Sequence, residues 1–177
     1  GAEAAYLEAL QVNPRLHQAR VNAGLVAERQ QRDTDAARHW LAVAEAATDG
    51  QPDAVPLATV ALNHLGRLQE TRRNYAAAES ALAHSLRLDP RQADAIQHWV
   101  HLRQKQCAWP VYHPLPGISI NQLMASTSPL AMLALLDDPA MQWLSAWSFV
   151  TRRYAFTDPP LPLARPEGGR MRIGYLS

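Results

Sequence analysis

Between residues 61 and 90 the chain reads ALNHLGRLQETRRNYAAAESALAHSLRLDP. Its apolar residues recur three and four apart, the period of helices that bury one face. Small residues stand where two such helices have to touch: Gly66 in the first and Ala78 in the second. Leu62, Leu65 and Leu82 surround them, and Pro90 follows Leu86 and Leu88. Proline disfavours helix in the residue before it, so it closes the second helix. A pair of this kind cannot bury its apolar face alone and requires stacked neighbours.

The neighbours are legible from register. Ala2, Tyr6, Ala9, Leu10 and Pro14 repeat the mutual spacing of Ala78, Leu82, Ser85, Leu86 and Pro90 at a constant offset. They read as the second half of a unit whose first helix is missing. Ala19, Asn22, Ala23 and Gly24 take the places of Ala61, His64, Leu65 and Gly66, and Ala36, Trp40 and Val43 match Ala78, Leu82 and Ser85. The second helix of this unit is expected to start at Asp33-Thr34, good N-cap residues, with Gly50 as its C-terminal cap. The succession of Leu-Gly, alanine, a large apolar residue and a closing proline is that of a tetratricopeptide repeat, whose ideal period is about 34 residues. The first interval is longer by eight, and the extra residues fall around Gln51-Pro52-Asp53-Ala54. They make either a longer turn or an extended first helix from near Pro56. At Ala93 a further helix begins, with Ala95, Ile96, His98 and Trp99 in register and Val100 where the glycine is due. No second helix follows in pattern, so the stack is expected to end on a capping helix.

Beyond it, WPVYHPLPGISI over 109–120 excludes a continuous helix. It predicts an extended connector with Trp109, Val111 and Tyr112 packed on the last unit. Ser128-Pro129 and Asp138-Pro139 each begin a short helix, the polar residue as cap and proline at the first helical position. In the second of these helices Trp143, Trp147, Val150 and Tyr154 share one face, which the spacing assigns to the core. After the prolines at 159, 160, 162 and 166, RMRIGYLS over 170–177 reads as a β-strand. It needs further strands to be stable, and an apolar strand after a loop is a common start for an α/β nucleotide-binding domain.

The predicted fold is therefore all-α. A tetratricopeptide-repeat superhelix comprises a half repeat (1–16), a repeat (17–50), an insertion (51–58), a repeat (59–92) and a capping helix (93–104). A proline-rich and helical linker spans 105–169, and a strand over 170–177 opens a Rossmann-like lobe. In such a superhelix the first helices line the concave face. Asn22, His64 and His98 are equivalent by register and are the candidate groove-lining contacts to a peptide, since amides and imidazoles bond a peptide backbone without reading its sequence. The plainer alternative is that they are solvated polar positions.

Composition narrows the partners. A net charge of +1 in 177 residues does not suggest a nucleic-acid partner. The apolar runs are too short to span a bilayer, so no membrane partner is expected. Cys107 is the single cysteine; no internal disulfide is possible, which fits a cytoplasmic protein, and a buried structural thiol is its expected role. His98, His101, Cys107 and His113 lie at no recognised zinc spacing, so no metal is expected. Gly168, Gly169 and Gly174 do not make a phosphate-binding loop, and Asp137 and Asp138 are read as a helix start. The absence of an initiating Met, and an end within an apolar run, suggest a piece of a longer protein.

The RQKQCAWP junction over 103–110, the Ser/Pro-flanked helices and the RMRIGYLS strand, following the repeats, resemble the bacterial O-linked N-acetylglucosamine transferase (SPINDLY-like) family. The resemblance implies a two-lobed GT-B fold behind the repeats and inverting transfer of GlcNAc from UDP-GlcNAc, the donor substrate, to Ser or Thr of intracellular proteins. It implies that the repeats present the acceptor protein and that the rest of the catalytic domain packs on the linker. The family's catalytic and UDP-binding residues lie beyond Ser177, so no catalytic and no nucleotide-binding residue is expected in this segment. Two other readings stay open: a non-catalytic tetratricopeptide adaptor that binds a peptide, and a related glycosyltransferase with another sugar nucleotide or acceptor.

Overall fold

The computed structural model describes residues 1–49 and 52–154. The strand expected over 170–177 and the cap expected at Gly50 lie outside these residues. The described residues are all-helical apart from turns and one isolated bridge between Leu115 and Ile118. In chain order they form α1 (Ala2–Val12), α2 (His17–Arg29), α3 (Asp33–Thr48), a 3-10 turn (Pro52–Ala54), α4 (Val55–Thr71), α5 (Tyr75–Leu88), α6 (Ala93–Lys105), α7 (Ile120–Ser126), α8 (Pro129–Leu135) and α9 (Pro139–Arg153).

Each helix from α1 to α6 packs on the next, and α2 also meets α4. The sequence register reappears in the way the helices end. Gln31, Arg73 and Cys107 adopt left-handed backbone conformations just past α2, α4 and α6. At each, two amides return to the last turn: Gln31 to Glu28 and Arg32 to Ala27, Arg73 to Glu70 and Asn74 to Gln69, Cys107 to Gln104 and Ala108 to Arg103. This double bond satisfies carbonyls that a helix end leaves orphaned. Between units the chain uses a second device. Asn13 Oδ1 accepts from the Arg15 amide and Asp89 Oδ1 from the Arg91 amide, both at 3.0 Å. Residues 13 and 89 stand at the same register position, so the half unit closes as the complete one does.

The eight extra residues between Gly24 and Gly66 are mostly absorbed as helix. Relative to α2, α4 gains four residues at its start; relative to α5, α3 gains two at its end; the turn between them takes the remaining two. Within the stretch 51–58, residues 52–54 form the 3-10 turn and residues 55–58 the first turn of α4. At the start of α3 the expected cap is absent. Arg32 is the N-cap residue and makes no side-chain cap, and Asp33 sits inside the first turn, paired across to Arg72. An acidic residue there still favours the helix through its dipole.

Two apolar clusters hold the fold. Val21, Trp40, Val43, Leu62 and Leu65 fill the first, between α2, α3 and α4. Leu82, Leu86, Ile96 and Trp99 fill the second, together with Val111, Ile118 and Leu123. Residues 111–123 therefore share a core with α5 and α6, and the composition change near residue 105 is not a packing boundary. Ser128 and Asp138 cap α8 and α9 as their sequence suggests, accepting from the amides of Ala131 and of Ala140 and Met141.

Expected burials do not occur at Trp109 or along α9. Trp109 is 67% exposed, while its neighbour Val111 is buried and Tyr112 partly so. The supposed core stripe of α9 also faces outward: Trp143 is 63%, Trp147 51% and Tyr154 62% exposed, with Val150 half-buried. α9 instead buries Ser145, whose hydroxyl donates to the Thr127 carbonyl at 2.6 Å. Spacing placed the aromatic residues on one face but could not say which face meets α7 and α8.

Candidate functional site

The three register-equivalent polar residues lie on α2, α4 and α6, and each is already engaged. Asn22 is half-buried and accepts from Gln18 Nε2 at 3.1 Å. His64 stacks on the buried indole of Trp40, with ring centroids 5.4 Å apart and planes 22° apart. Its Nδ1 lies 3.0 Å from Arg67, which also bonds both carboxylate oxygens of Glu28 on α2. His98 Nε2 stands 2.6 Å from Glu70 Oε2 on α4, and the other oxygen of Glu70 takes Lys105 at 3.0 Å. His64 and His98 are therefore also joints between successive units, whereas Asn22 bonds within α2. Truncating His64 removes packing from Trp40 as well as a polar contact, so a stability cost accompanies any loss of binding. Exposed ion pairs of this kind contribute about 0–1 kcal/mol each, and the stack does not depend on one of them.

Burial governs the charge of three imidazoles, His39, His64 and His84. His64 is held below its ordinary pKa by desolvation first and by Arg67 second, against a smaller opposing pull from Glu28. His39 and His84 are lowered in the same way, burial first and then Arg38 or Arg87. The unfolded chain titrates these groups near 6.5, so between that value and the depressed folded ones it binds more protons than the folded chain. Stability is thus complete above about pH 6.5 and falls as acid titrates the folded imidazoles. Thermal melts from pH 8 to pH 5 should show a falling Tm, with a shallower slope for His64→Gln. A Tm that rises on acidification would contradict this.

The junction over 103–110 is built around a residue whose role spacing did not reveal. Arg103 is only 11% exposed. Its guanidinium donates to the carbonyls of Val111 at 3.0 Å, Ala108 at 3.3 Å and Pro110 at 2.8 Å. It pairs with Glu79 on α5 and lies 5.0 Å from the centre of the Trp99 ring. Gln106 adds a second bond to Glu79 at 3.0 Å. Arg103 thus folds the junction back over α6 and fastens both to α5. Cys107 is exposed rather than buried, because it occupies the left-handed residue that reverses the chain there.

A cleft opens where α9 ends beside the start of α6. Its larger part, about 920 Å³, is lined by Asn63, Gln92, Asp94, Arg152, Arg153 and Tyr154 among others. A smaller part of about 370 Å³ adjoins it, sharing Asp94 and Arg153 and adding Gln97, His98 and His101. Of the three candidate contacts only His98 reaches this cleft; Asn22 and His64 do not. Arg152 and Arg153 stand in the last turn of α9, where positive charge also complements the helix dipole.

No protein-family model matches the chain, and no curated protein matches it. No helix among the described residues is long and apolar enough to cross a membrane.

Proposed function

We propose that this chain is the tetratricopeptide-repeat and linker segment of a cytoplasmic glycosyltransferase, one that moves GlcNAc from UDP-GlcNAc to Ser or Thr of proteins. The observation that carries the scaffold half of the reading is the recurrence of one helix ending at Gln31, Arg73 and Cys107. It supports reading α2, α4 and α6 as three successive first helices of a repeat superhelix, with the junction following the last of them. The catalytic half rests on the resemblance of the RQKQCAWP and RMRIGYLS stretches. In this reading the repeats present the acceptor protein, and the linker carries the catalytic lobes that begin with the strand at 170–177.

The outward aromatic face of α9 suits that arrangement. Trp143 and Trp147 stack with centroids 5.8 Å apart and stand in the open, as a surface does that a following domain covers. The donor, UDP-GlcNAc, is bound by residues outside this segment, and no chemical step is assigned to residues within it. An adaptor that binds a peptide without catalysis would use the same repeats, and a relative using another sugar nucleotide would share the same junction. Calorimetric titration of the polypeptide that carries this segment separates the three. Saturable binding of UDP-GlcNAc in preference to UDP-glucose is the expected result. Preference for UDP-glucose would point to the relative, and binding of neither would point to the adaptor.

A further inference from the structure

We propose that the cleft between α6 and α9 binds an extended peptide bearing acidic side chains, with Arg152 and Arg153 as the residues that select it. Asp94, Gln97, His98 and His101 recur at three and four along α6, so they line one face over about 10 Å at 1.5 Å per residue. An extended chain advances about 3.3 Å per residue, so that face accommodates three residues, and the larger cavity beyond Asp94 extends the trough toward Asn63. Side-chain amides and imidazoles along it can bond a peptide backbone.

The charge comes from the other wall. Neither arginine is in an ion pair among the described residues. Arg152 bonds the Ser148 hydroxyl at 3.3 Å, and Arg153 lies 4.6 Å from the centre of the Phe149 ring. That stacking holds Arg153 where it borders both parts of the cleft. Asp94, the carboxylate on the opposite wall, stands in the first turn of α6, where the helix dipole favours it. Two guanidiniums facing one trough match carboxylates through paired N–H donors. The site lies apart from Asn22 and His64. It draws on the reading of the repeats as peptide-presenting, but it holds or fails whether or not the parent polypeptide transfers sugar.

The test uses the 177-residue chain and two capped, fluorescein-labelled octapeptides of alternating serine and glutamate or serine and glutamine. Fluorescence anisotropy should show saturable binding of the glutamate peptide, at least tenfold tighter than the glutamine peptide and weakening as salt is added. Arg152→Gln with Arg153→Gln should weaken it at least tenfold, with helix content and Tm preserved. Charge reversal at Arg29 and Arg87, on helices that do not line the cleft, should leave it unchanged. Equal binding of the two peptides, no binding of either, or the same loss from the remote substitutions would overturn the proposal.

Discussion

Gly24→Ala should destabilise the protein by about 2–3 kcal/mol, although alanine is the better helix former by about 1 kcal/mol. A methyl group at Gly24 would meet the Trp40 indole, with Cδ1 and Cε2 each at 2.8 Å. Trp40 has no room to retreat: it is fully buried, and its Nε1 donates to the Val21 carbonyl at 3.3 Å. Overpacking of this kind typically costs about 1–3 kcal/mol, and displacing the indole also leaves a buried donor and acceptor unpaired. Gly66 supplies the contrast at the same register position. A methyl there would stand 3.0 Å from Leu82 Cγ and Cδ2 and in ordinary contact, 3.6 Å, with the Ala78 carbonyl, a tight fit rather than a collision with a rigid ring, so Gly66→Ala should fall within about 1 kcal/mol of neutral. Gly66→Leu adds three more carbons at that crossing and should cost a few kcal/mol. Urea unfolding followed by circular dichroism measures all three. Equal, small effects would mean that the helices do not cross closely at these glycines.

Arg103→Met should cost about 3 kcal/mol, more than any exposed charged residue of the stack. The substitution keeps most of the aliphatic stem over Trp99 but removes every donor. It leaves three junction carbonyls and the Glu79 carboxylate without this partner. Breaking a buried pair by removing one side costs about 3–5 kcal/mol, reduced here because Glu79 keeps its bond to Gln106. Arg103→Lys should recover little, because one ammonium cannot span Val111, Pro110 and Glu79 as a planar fork does. Full rescue by lysine would show that charge alone matters and that the fork geometry does not.

The stack was legible because register is a linear property. Offsets fixed from Gly24, Gly66 and Pro90 recur in the helix starts at His17, Ala93, Asp33 and Tyr75. What register could not supply was direction about the helix axis where no neighbour had been identified. The α9 aromatics were grouped on one face correctly, yet that face is open to solvent, because the packing of α9 on α7 and α8 runs through Ser145. Pairings across the stack were equally hidden. Glu28 with Arg67, Glu70 with His98, and Glu79 with Arg103 are far apart in sequence and set by how successive units are rotated. Cys107 shows the same limit: a lone thiol in an apolar chain suggests burial, but its left-handed backbone puts it on the turn that ends α6.

The central claim is that the repeats and junction belong to a GlcNAc transferase whose chemistry lies outside this segment. Its most direct test is incubation of the parent polypeptide with radiolabelled UDP-GlcNAc and a mixture of intracellular proteins, beside the 177-residue segment alone. The account predicts label on Ser or Thr of protein with the parent polypeptide and none with the segment. Turnover by the segment itself, or no transfer and no UDP-GlcNAc binding by the parent, would contradict it.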